Sequence, residues 1–207
     1  MQKKKGYHIP VAEIKTEGIV LKVIPYKDHH RIVHLFTPHE GVLSFLAKGV
    51  SKPQLQSLLS PLSHIEVVLR KKTSDLYFFQ EGTLLESHHF LRASWPLLEA
   101  AGRLGGALLK TQLPGKPAPD LYHLLIACLK QLPRFEEPAT LATLFILKLL
   151  TYEGVVAWDH PSLFPIPCPN WPTLKELAET RSFRTWYALK DLSETLPDLE
   201  TLLISLF

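Results

Sequence analysis

Cysteine is scarce in this chain of 207 residues, which contains only Cys128 and Cys168. Two cysteines cannot build a disulfide framework or a four-cysteine metal site, and these two form no Cys-x-x-Cys pair. Cys128 lies within an apolar helical pattern, whereas Cys168 lies between prolines. We therefore expect no zinc site and no other cofactor.

Long apolar runs are also missing. No stretch approaches the roughly 20 consecutive apolar residues that a membrane-spanning helix needs. The lysines at positions 3 to 5 are followed by Gly6, Tyr7 and Pro10 rather than by an apolar signal segment. We expect a soluble, cytoplasmic protein that makes no membrane contact.

Catalytic motifs are absent as well. The chain has no GxSxG nucleophile turn, no GxxxxGK[ST] phosphate loop and no set of metal-binding carboxylates. Gly105 and Gly106 lie inside a helical pattern, where they favour close helix packing. Glu136 and Glu137 precede Pro138 at a predicted helix start, where acidic residues favour the helix dipole. The sequence does not predict an enzyme.

Short apolar strands dominate the first 80 residues. β-branched and apolar segments alternate with turn residues such as Pro25, Pro38 and Gly41. The predicted strands are Ile19 to Ile24, Arg31 to Phe36, Val42 to Ala47, Ile65 to Leu69 and Leu76 to Phe79. Five short strands in about 80 residues indicate a small barrel such as the OB-fold.

The second half of the chain changes to helical spacing, with apolar residues recurring at three and four positions. Helices are predicted from Ala93 to about Pro114, over Asp120 to Leu132 and over Thr140 to Glu153, the last apolar nearly all round. Weaker patterns are Thr173 to Ala178, Phe183 to Leu192 and Leu196 to Phe207. We predict an α+β protein in which an OB-fold barrel (1–82) precedes an all-helical domain (83–207), without a zinc ribbon.

Charge is divided unevenly between the two halves. Residues 1–80 contain 12 Lys and Arg against 6 Asp and Glu, whereas residues 81–207 contain 11 against 14. A local positive field attracts phosphate backbones and gives salt-dependent affinity. Nucleic acid is therefore the expected ligand of the barrel half.

The candidate DNA-binding residues follow from OB-fold geometry. The ligand of such a barrel lies across strands 2 and 3, between the loop joining strands 1 and 2 and the loop joining strands 4 and 5. The residues that these positions supply are Tyr26, Lys27, His29, Arg31, Lys48, Lys52, Arg70, Lys71 and Lys72.

Each candidate also has an ordinary structural interpretation. Lysine is common in solvated loops, and Tyr26 can either stack on a base or pack over the barrel mouth. His29, His30 and His34 lack a partner cysteine and an HExxH-type spacing, so a metal site there is disfavoured. The group of basic loop residues is harder to explain by solvation than any single member, because acids are few in these loops.

Six segments are notable for their order and spacing: EGIVLK (17–22), DHHRIVHLFTPHEGVLSFLAKGVSK (28–52), LLSPLSHIEVVL (58–69), DLYFFQEGTLLES (75–87), LYHLLIACLKQL (121–132) and LFILKLLTYEGV (144–155). Together they resemble the RecO family of recombination mediators. The similarity covers about residues 16–155 and includes no catalytic motif.

This resemblance implies a non-enzymatic role in DNA repair. Proteins of the family bind single- and double-stranded DNA, anneal strands, work with RecR, contact the acidic tail of the single-stranded-DNA-binding protein and help load RecA at gaps. By the same resemblance, Leu144, Leu147 and Lys148 are candidates for the groove that takes this tail. The same three residues also fit a plain helix core with one lysine at its rim.

The sequence departs from the family pattern in two places. Many members have a zinc-binding cysteine cluster after the glycine that corresponds to Gly154, whereas only Cys168 is present here. We expect Trp158, Phe164 and Trp171 to hold this loop by packing instead. Fewer basic residues follow Gly49 than is usual, which suggests weaker DNA affinity. An alternative function is therefore an adaptor whose barrel docks a repair partner.

Overall fold

The computed structural model describes residues 13–71, 76–160, 171–180 and 182–187. It divides into two compact units. The barrel unit comprises the chain up to Leu35 and from Leu43 to Ser87, and the helical unit comprises Phe36–Val42 and the chain from His88 onward.

Five strands form a closed barrel in the order β1-β2-β3-β5-β4. The strands are β1 (Glu13–Tyr26), β2 (His30–Thr37), β3 (Gly41–Ala47), β4 (His64–Lys71) and β5 (Tyr77–Glu86). β4 pairs antiparallel with both β1 and β5, and a short parallel pairing between β3 and β5 completes the ring. The predicted α+β fold with a five-stranded OB-fold barrel is confirmed.

Alternation along the strands builds the barrel core. In β4, Ile65, Val67 and Leu69 are fully buried, whereas the residues between them are partly exposed. Side chains of this inward set interlock with those of the other strands, because successive residues of a strand point to opposite faces. The core cluster consists of Val20, Val33, Leu35, Leu43, Phe45, Ala47, Val50, Leu58, Leu59, Ile65, Val67 and Leu69.

Two strands are longer than predicted, and one helix was missed. β1 begins at Glu13 and β5 continues to Glu86, because both strands pair with β4 along their extra length. These extensions are mostly polar, so a search for apolar segments does not detect them. Helix α1 (Pro53–Leu58) has only six residues, too few to display a helical period. Its proline in the first turn favours the helix start, and its last residue is buried in the core cluster.

The helical unit contains five α-helices and two short 3₁₀ helices within its described residues. They are α2 (Trp95–Thr111), α3 (Pro119–Gln131), α4 (Pro138–Tyr152), α5 (Trp171–Glu179) and α6 (Phe183–Tyr187), with 3₁₀ helices at His89–Ala93 and Leu132–Arg134. α4 packs against α2, α3 and α5 and is buried on nearly all sides, which confirms its predicted central position. None of the described helices is both long and apolar enough to cross a membrane.

The segment after α4 is held partly by tryptophan packing. Gly154 has φ +71°, and the N–H groups of Gly154 and Val155 donate to carbonyls of the last helical turn. The rings of Trp158 and Trp171 lie 4.9 Å apart, and the Trp171 indole N–H donates to the Trp158 carbonyl at 3.0 Å. Phe164 and Cys168 lie outside the described residues, as do the helical patterns beyond residue 187.

Gly41 and Gly49 both have positive φ, +61° and +65°, but their surroundings differ. A Cβ at Gly41 would overlap the Leu113 carbonyl oxygen and would lie 2.8 Å from that of Lys116, whereas a Cβ at Gly49 would meet nothing within 4 Å. An alanine at Gly49 would therefore suffer backbone strain alone, whereas an alanine at Gly41 would suffer both backbone strain and steric overlap.

We predict that Gly41→Ala lowers the free energy of unfolding more than Gly49→Ala does. Left-handed backbone costs an alanine about 1–2 kcal/mol at either position, and Gly41→Ala adds the overlap with two carbonyl oxygens. Urea unfolding followed by circular dichroism measures both losses. Equal losses would show that the chain around Gly41 relaxes freely.

Candidate nucleic-acid interface

The loop between β1 and β2 contains three of the predicted DNA-binding residues. Tyr26 ends β1 with 40% of its surface exposed, and Lys27 and His29 are exposed in the turn that follows. The His29 carbonyl accepts a hydrogen bond of 2.6 Å from the N–H of Val50. This bond joins the loop to the segment 48–52, which contains the two other predicted lysines of this region.

Three predicted lysines each lie close to an aromatic ring. The distances from the ammonium nitrogen to the ring centroid are 5.5 Å for Lys27 and Tyr26, 5.8 Å for Lys48 and Phe78, and 5.4 Å for Lys71 and Tyr77. A cation within about 6 Å of a ring is attracted to its face by roughly 0.5–1 kcal/mol at exposed sites. The result is a set of paired cations and aromatic rings, the two side-chain types that single-strand-binding grooves combine.

Phe78 is flanked by basic residues from two neighbouring strands. It lies opposite Leu46 of β3 and opposite Arg70 of β4, and Lys48 follows the end of β3. Tyr77 and Phe79 pack against the barrel core cluster, so alternation along β5 directs Phe78 to the outer face. Two positive side chains thus adjoin an outward-facing ring.

The remaining predicted DNA-binding residues have different surroundings. Arg31 is partly buried, and its guanidinium donates to the His30 carbonyl at 2.8 Å. Lys52 is exposed just before α1, and its carbonyl accepts from the N–H groups of Leu55 and Gln56. Lys72 lies outside the described residues.

Lys15 is also basic but does not extend this group. Its ammonium lies 3.0 Å from the Glu66 carboxylate, and His64 lies 3.5 Å from Glu17 on the same pair of strands. Glu17 and Glu66 are directly opposite each other in the β1–β4 register, where like charges disfavour pairing. The Lys15 ammonium offsets part of that repulsion, so its charge is already engaged on the barrel.

His34 lies on β2 and shares a hydrogen bond of 2.9 Å with the hydroxyl of Ser44 on β3 through Nδ1. Burial first, and the positive charge of Lys22 second, lower the pKa of His34 below the usual histidine value. His34 is therefore neutral at pH 7 and adds no positive charge to the interface. No group of three potential metal-ligating side chains occurs in the part of the chain that the structure describes.

The helical unit contains a cavity of about 550 Å³ between α3, α4, α5 and α6. Lys148 lines it, donating to the Ala178 carbonyl at 2.7 Å and lying 5.5 Å from the Trp186 ring centroid. The other principal lining residues are Leu124, Ala127, Tyr152, Phe183 and Trp186, with His123 basic and Asp120 and Glu179 acidic.

Of the three predicted partner-binding residues, only Lys148 lines this cavity. The side chains of Leu144 and Leu147 are each 1% exposed and belong to the helical core. Nearby Cys128 is also buried, and burial raises the pKa of its thiol far above the usual range despite a smaller opposite effect of Lys148. The thiol is accordingly uncharged and unreactive at neutral pH.

Phe78 and the aromatic cavity residues were not among the candidates predicted from sequence. The run Tyr77-Phe78-Phe79 already required one ring to face away from its neighbours, but only the pairing of β5 with β3 and β4 identifies which one. Phe183 and Trp186 lie in a weak helical pattern, and no local signal shows that they face α3 and α4.

Comparison with known proteins independently supports the resemblance to RecO. Residues 11–88 match the family model described as Recombination protein O N terminal, a range that includes all five strands. A protein of Chlamydia pneumoniae named DNA repair protein RecO is 34% identical over 146 residues, which cover 70% of this chain and 58% of the relative. Proteins of the same name from Prosthecochloris aestuarii and Bacillus subtilis are 30% and 28% identical, covering 68% of this chain and 55% and 56% of their own lengths.

Residues 11–88 belong to the RecO family. The aligned 146 residues exceed the stretch matched by the family model, so the likeness to other RecO proteins includes part of the helical unit. The matched region spans less than two thirds of the length of these relatives. The most specific RecO assignment therefore concerns the barrel.

The lowered pKa of His34 predicts a pH dependence of stability. An unfolded chain binds a proton at His34 near pH 6.5, before the folded protein does, so the free energy of unfolding falls as the pH drops below about 7. His34→Gln, which can keep a hydrogen bond to Ser44, should make this fall shallower. Urea unfolding between pH 7.5 and 5 measures the difference, in a range chosen around the histidine pKa.

The control is His39→Gln, which removes an exposed histidine of the β2–β3 turn. Its pH profile should follow that of the unaltered protein. A profile for His34→Gln that coincides with both would contradict the assignment.

Proposed function

We propose that this protein acts in recombinational DNA repair by binding single- and double-stranded DNA through its barrel. The observation that carries the proposal is the set of three lysine–aromatic pairs, Lys27–Tyr26, Lys48–Phe78 and Lys71–Tyr77. The lysines would neutralise phosphates of either strand type, and the exposed ring of Tyr26 and the outward-facing ring of Phe78 would offer stacking surfaces to exposed bases.

Annealing of complementary strands follows from the same chemistry. Two strands repel each other through their phosphates, and a basic surface that binds both lowers this repulsion. Contacts to phosphates and ring faces impose no sequence requirement, so base pairing alone would select the partner strand. We propose that the protein anneals strands and, with RecR, helps load RecA at gaps, roles that no catalytic group is needed to perform.

The helical cavity is the proposed site for the tail of the single-stranded-DNA-binding protein. An acidic peptide that ends in phenylalanine needs an apolar pocket for the ring and a cation for the terminal carboxylate. Leu124, Phe183 and Trp186 supply apolar lining, and Lys148 supplies the cation. Leu144 and Leu147 would support the pocket from within the core.

A protein-interaction adaptor is the second candidate function, and the cavity is the observation that favours it. The adaptor predicted from sequence docks its repair partner through the barrel, whereas the cavity would place the docking site on the helical unit. In either case DNA contact by the barrel would be incidental. The two functions differ in whether DNA binding depends on the basic barrel residues.

We predict that Lys27→Gln, Arg31→Gln, Arg70→Gln and Lys71→Gln, combined in one variant, weaken binding to a single-stranded oligonucleotide. Each lost phosphate contact removes about 0.7 from the slope of log affinity against log salt, so the slope should fall by up to about 3. Fluorescence anisotropy across a salt series measures both quantities.

The matched control removes the same number of charges from exposed positions of the helical unit, with Lys110, Lys130, Arg134 and Arg184 each changed to Gln. This control should keep the slope of the unaltered protein. Equal effects of the two variants would assign DNA attraction to net charge alone, and absent binding by the unaltered protein would favour the adaptor.

We also predict that Lys148→Met weakens binding of a short acidic peptide ending in phenylalanine by roughly tenfold or more, the loss expected for a hydrogen bond to a charged group. Isothermal titration calorimetry with this peptide, and with one lacking the final phenylalanine, measures the effect. Lys130→Met, at an exposed position of α3, is the matched control.

Because Lys148 also donates to the Ala178 carbonyl, the fold of each variant is checked by circular dichroism. Unchanged peptide affinity in folded Lys148→Met would contradict the proposal that the cavity binds the peptide. Equal affinity for the peptides with and without the final phenylalanine would also contradict it.

A further inference from the structure

Phe78 differs from the other aromatic residues of the barrel in its placement. Tyr77 and Phe79 pack on the core cluster, and the Phe79 ring stacks on Phe45 with centroids 5.8 Å apart. Tyr26 stands at the end of a strand, next to an exposed turn. Phe78 is held within the sheet, because β5 is paired there with β3 on one side and β4 on the other.

The surroundings of the Phe78 ring are positive. The Lys48 ammonium lies 5.8 Å from the ring centroid, and Arg70 is directly opposite Phe78 in the β4–β5 register. The buried Nε of Arg70 has no hydrogen-bond partner among the described residues. Thus a lysine ammonium lies near the ring and an arginine is the register partner of Phe78, and among the described residues no carboxylate is bonded to the Arg70 Nε.

A nucleotide presents the complementary chemistry, with a flat base next to phosphates that carry negative charge. A base inside a duplex has both faces covered by its neighbours, so stacking on Phe78 would require it to leave the stack. An unpaired base has no such cost. A ring fixed between two strands also loses little freedom on binding, since rigid elements position a contact better than loops do.

We propose that Phe78 is the binding site for one unpaired nucleobase, with Lys48 and Arg70 on the phosphates beside it, and that this contact gives the barrel a preference for single-stranded over double-stranded DNA. The inference rests on the proposed DNA-binding function and adds strand selectivity to it. The base takes a position over the ring that the Lys48 ammonium now shares, and the ammonium turns to the adjacent phosphate.

The test is Phe78→Leu, which keeps an apolar side chain and removes the aromatic face. Binding is measured by fluorescence anisotropy for a single-stranded oligonucleotide and for a blunt-ended duplex that contains the same sequence, at one salt concentration and then across a salt series. Stacking is worth about 1–3 kcal/mol per base, so single-strand affinity should fall roughly 5- to 150-fold. Duplex affinity should change less than twofold, and the salt slope for both ligands should stay the same.

Two further variants separate stacking from charge and from folding. Phe78→Tyr keeps a ring and should retain the single-strand preference. Lys48→Gln combined with Arg70→Gln should weaken both ligands and lower both salt slopes, because phosphates are common to the two. If Phe78→Leu does not fold, Phe78→Met takes its place, since the flexible, unbranched methionine side chain adapts to irregular spaces and has no ring face.

The outcomes distinguish this inference from the proposed function. If the unaltered protein binds neither ligand, the proposed function fails and the inference fails with it. If the unaltered protein binds DNA but Phe78→Leu loses single strand and duplex equally, or loses neither, only the role of Phe78 is overturned. A selective loss of single-strand binding that Phe78→Tyr restores supports it.

Discussion

The parallel pairing of β3 with β5 is the constraint on which the candidate interface depends. It consists of two residue pairs, Phe45 with Tyr77 and Leu46 with Phe78. These pairs complete the closed barrel, and they fix which face of β5 each aromatic ring takes, since neighbours along a strand point to opposite sides. A shift of β5 by one residue would bury Phe78 and expose Tyr77 and Phe79. The two β3–β5 residue pairs therefore determine both which side chains of β5 lie in the core and which lie on the outer surface.

The lysines of the barrel can make two kinds of electrostatic contact, with aromatic rings or with phosphates, and the two differ in strength. A lysine beside an aromatic ring gains only about 0.5–1 kcal/mol at an exposed site, too little to prevent it from moving. Neutralising several phosphates changes affinity by orders of magnitude across ordinary salt concentrations. In the proposed complex, Lys27, Lys48 and Lys71 would exchange their ring contacts for phosphates. The same exchange would uncover the rings of Tyr26 and Phe78 for bases, whereas Tyr77 would stay packed on the barrel core.

The barrel could be predicted from the sequence because each buried strand is itself an apolar segment. Segments such as Val42–Ala47 are apolar in themselves, and turn residues bound them. Sequence reasoning missed the first half of β1 and the second half of β5, because backbone pairing with β4 keeps these exposed segments extended without burial of their side chains. It named Lys48 and Arg70 from loop positions, but it could not find Phe78, because the direction of a ring within three consecutive aromatics depends on a partner strand distant in sequence.

In the helical unit, too, the sequence predicts which segments are buried but not which side chains reach a site. α4 is so apolar that its sequence predicts burial without saying which of its residues stay accessible. Leu144 and Leu147 are in the core, and Lys148 reaches the cavity, because α5 and α6 cover one flank of α4 and leave a space beside α3. That space exists only where four helices meet, so no single segment encodes it. Lys148 donates to the Ala178 carbonyl and lies 5.5 Å from the Trp186 ring centroid, so in the proposed complex a peptide carboxylate would compete with these contacts. The cavity thus combines one lysine with an apolar lining at the position where the core ends.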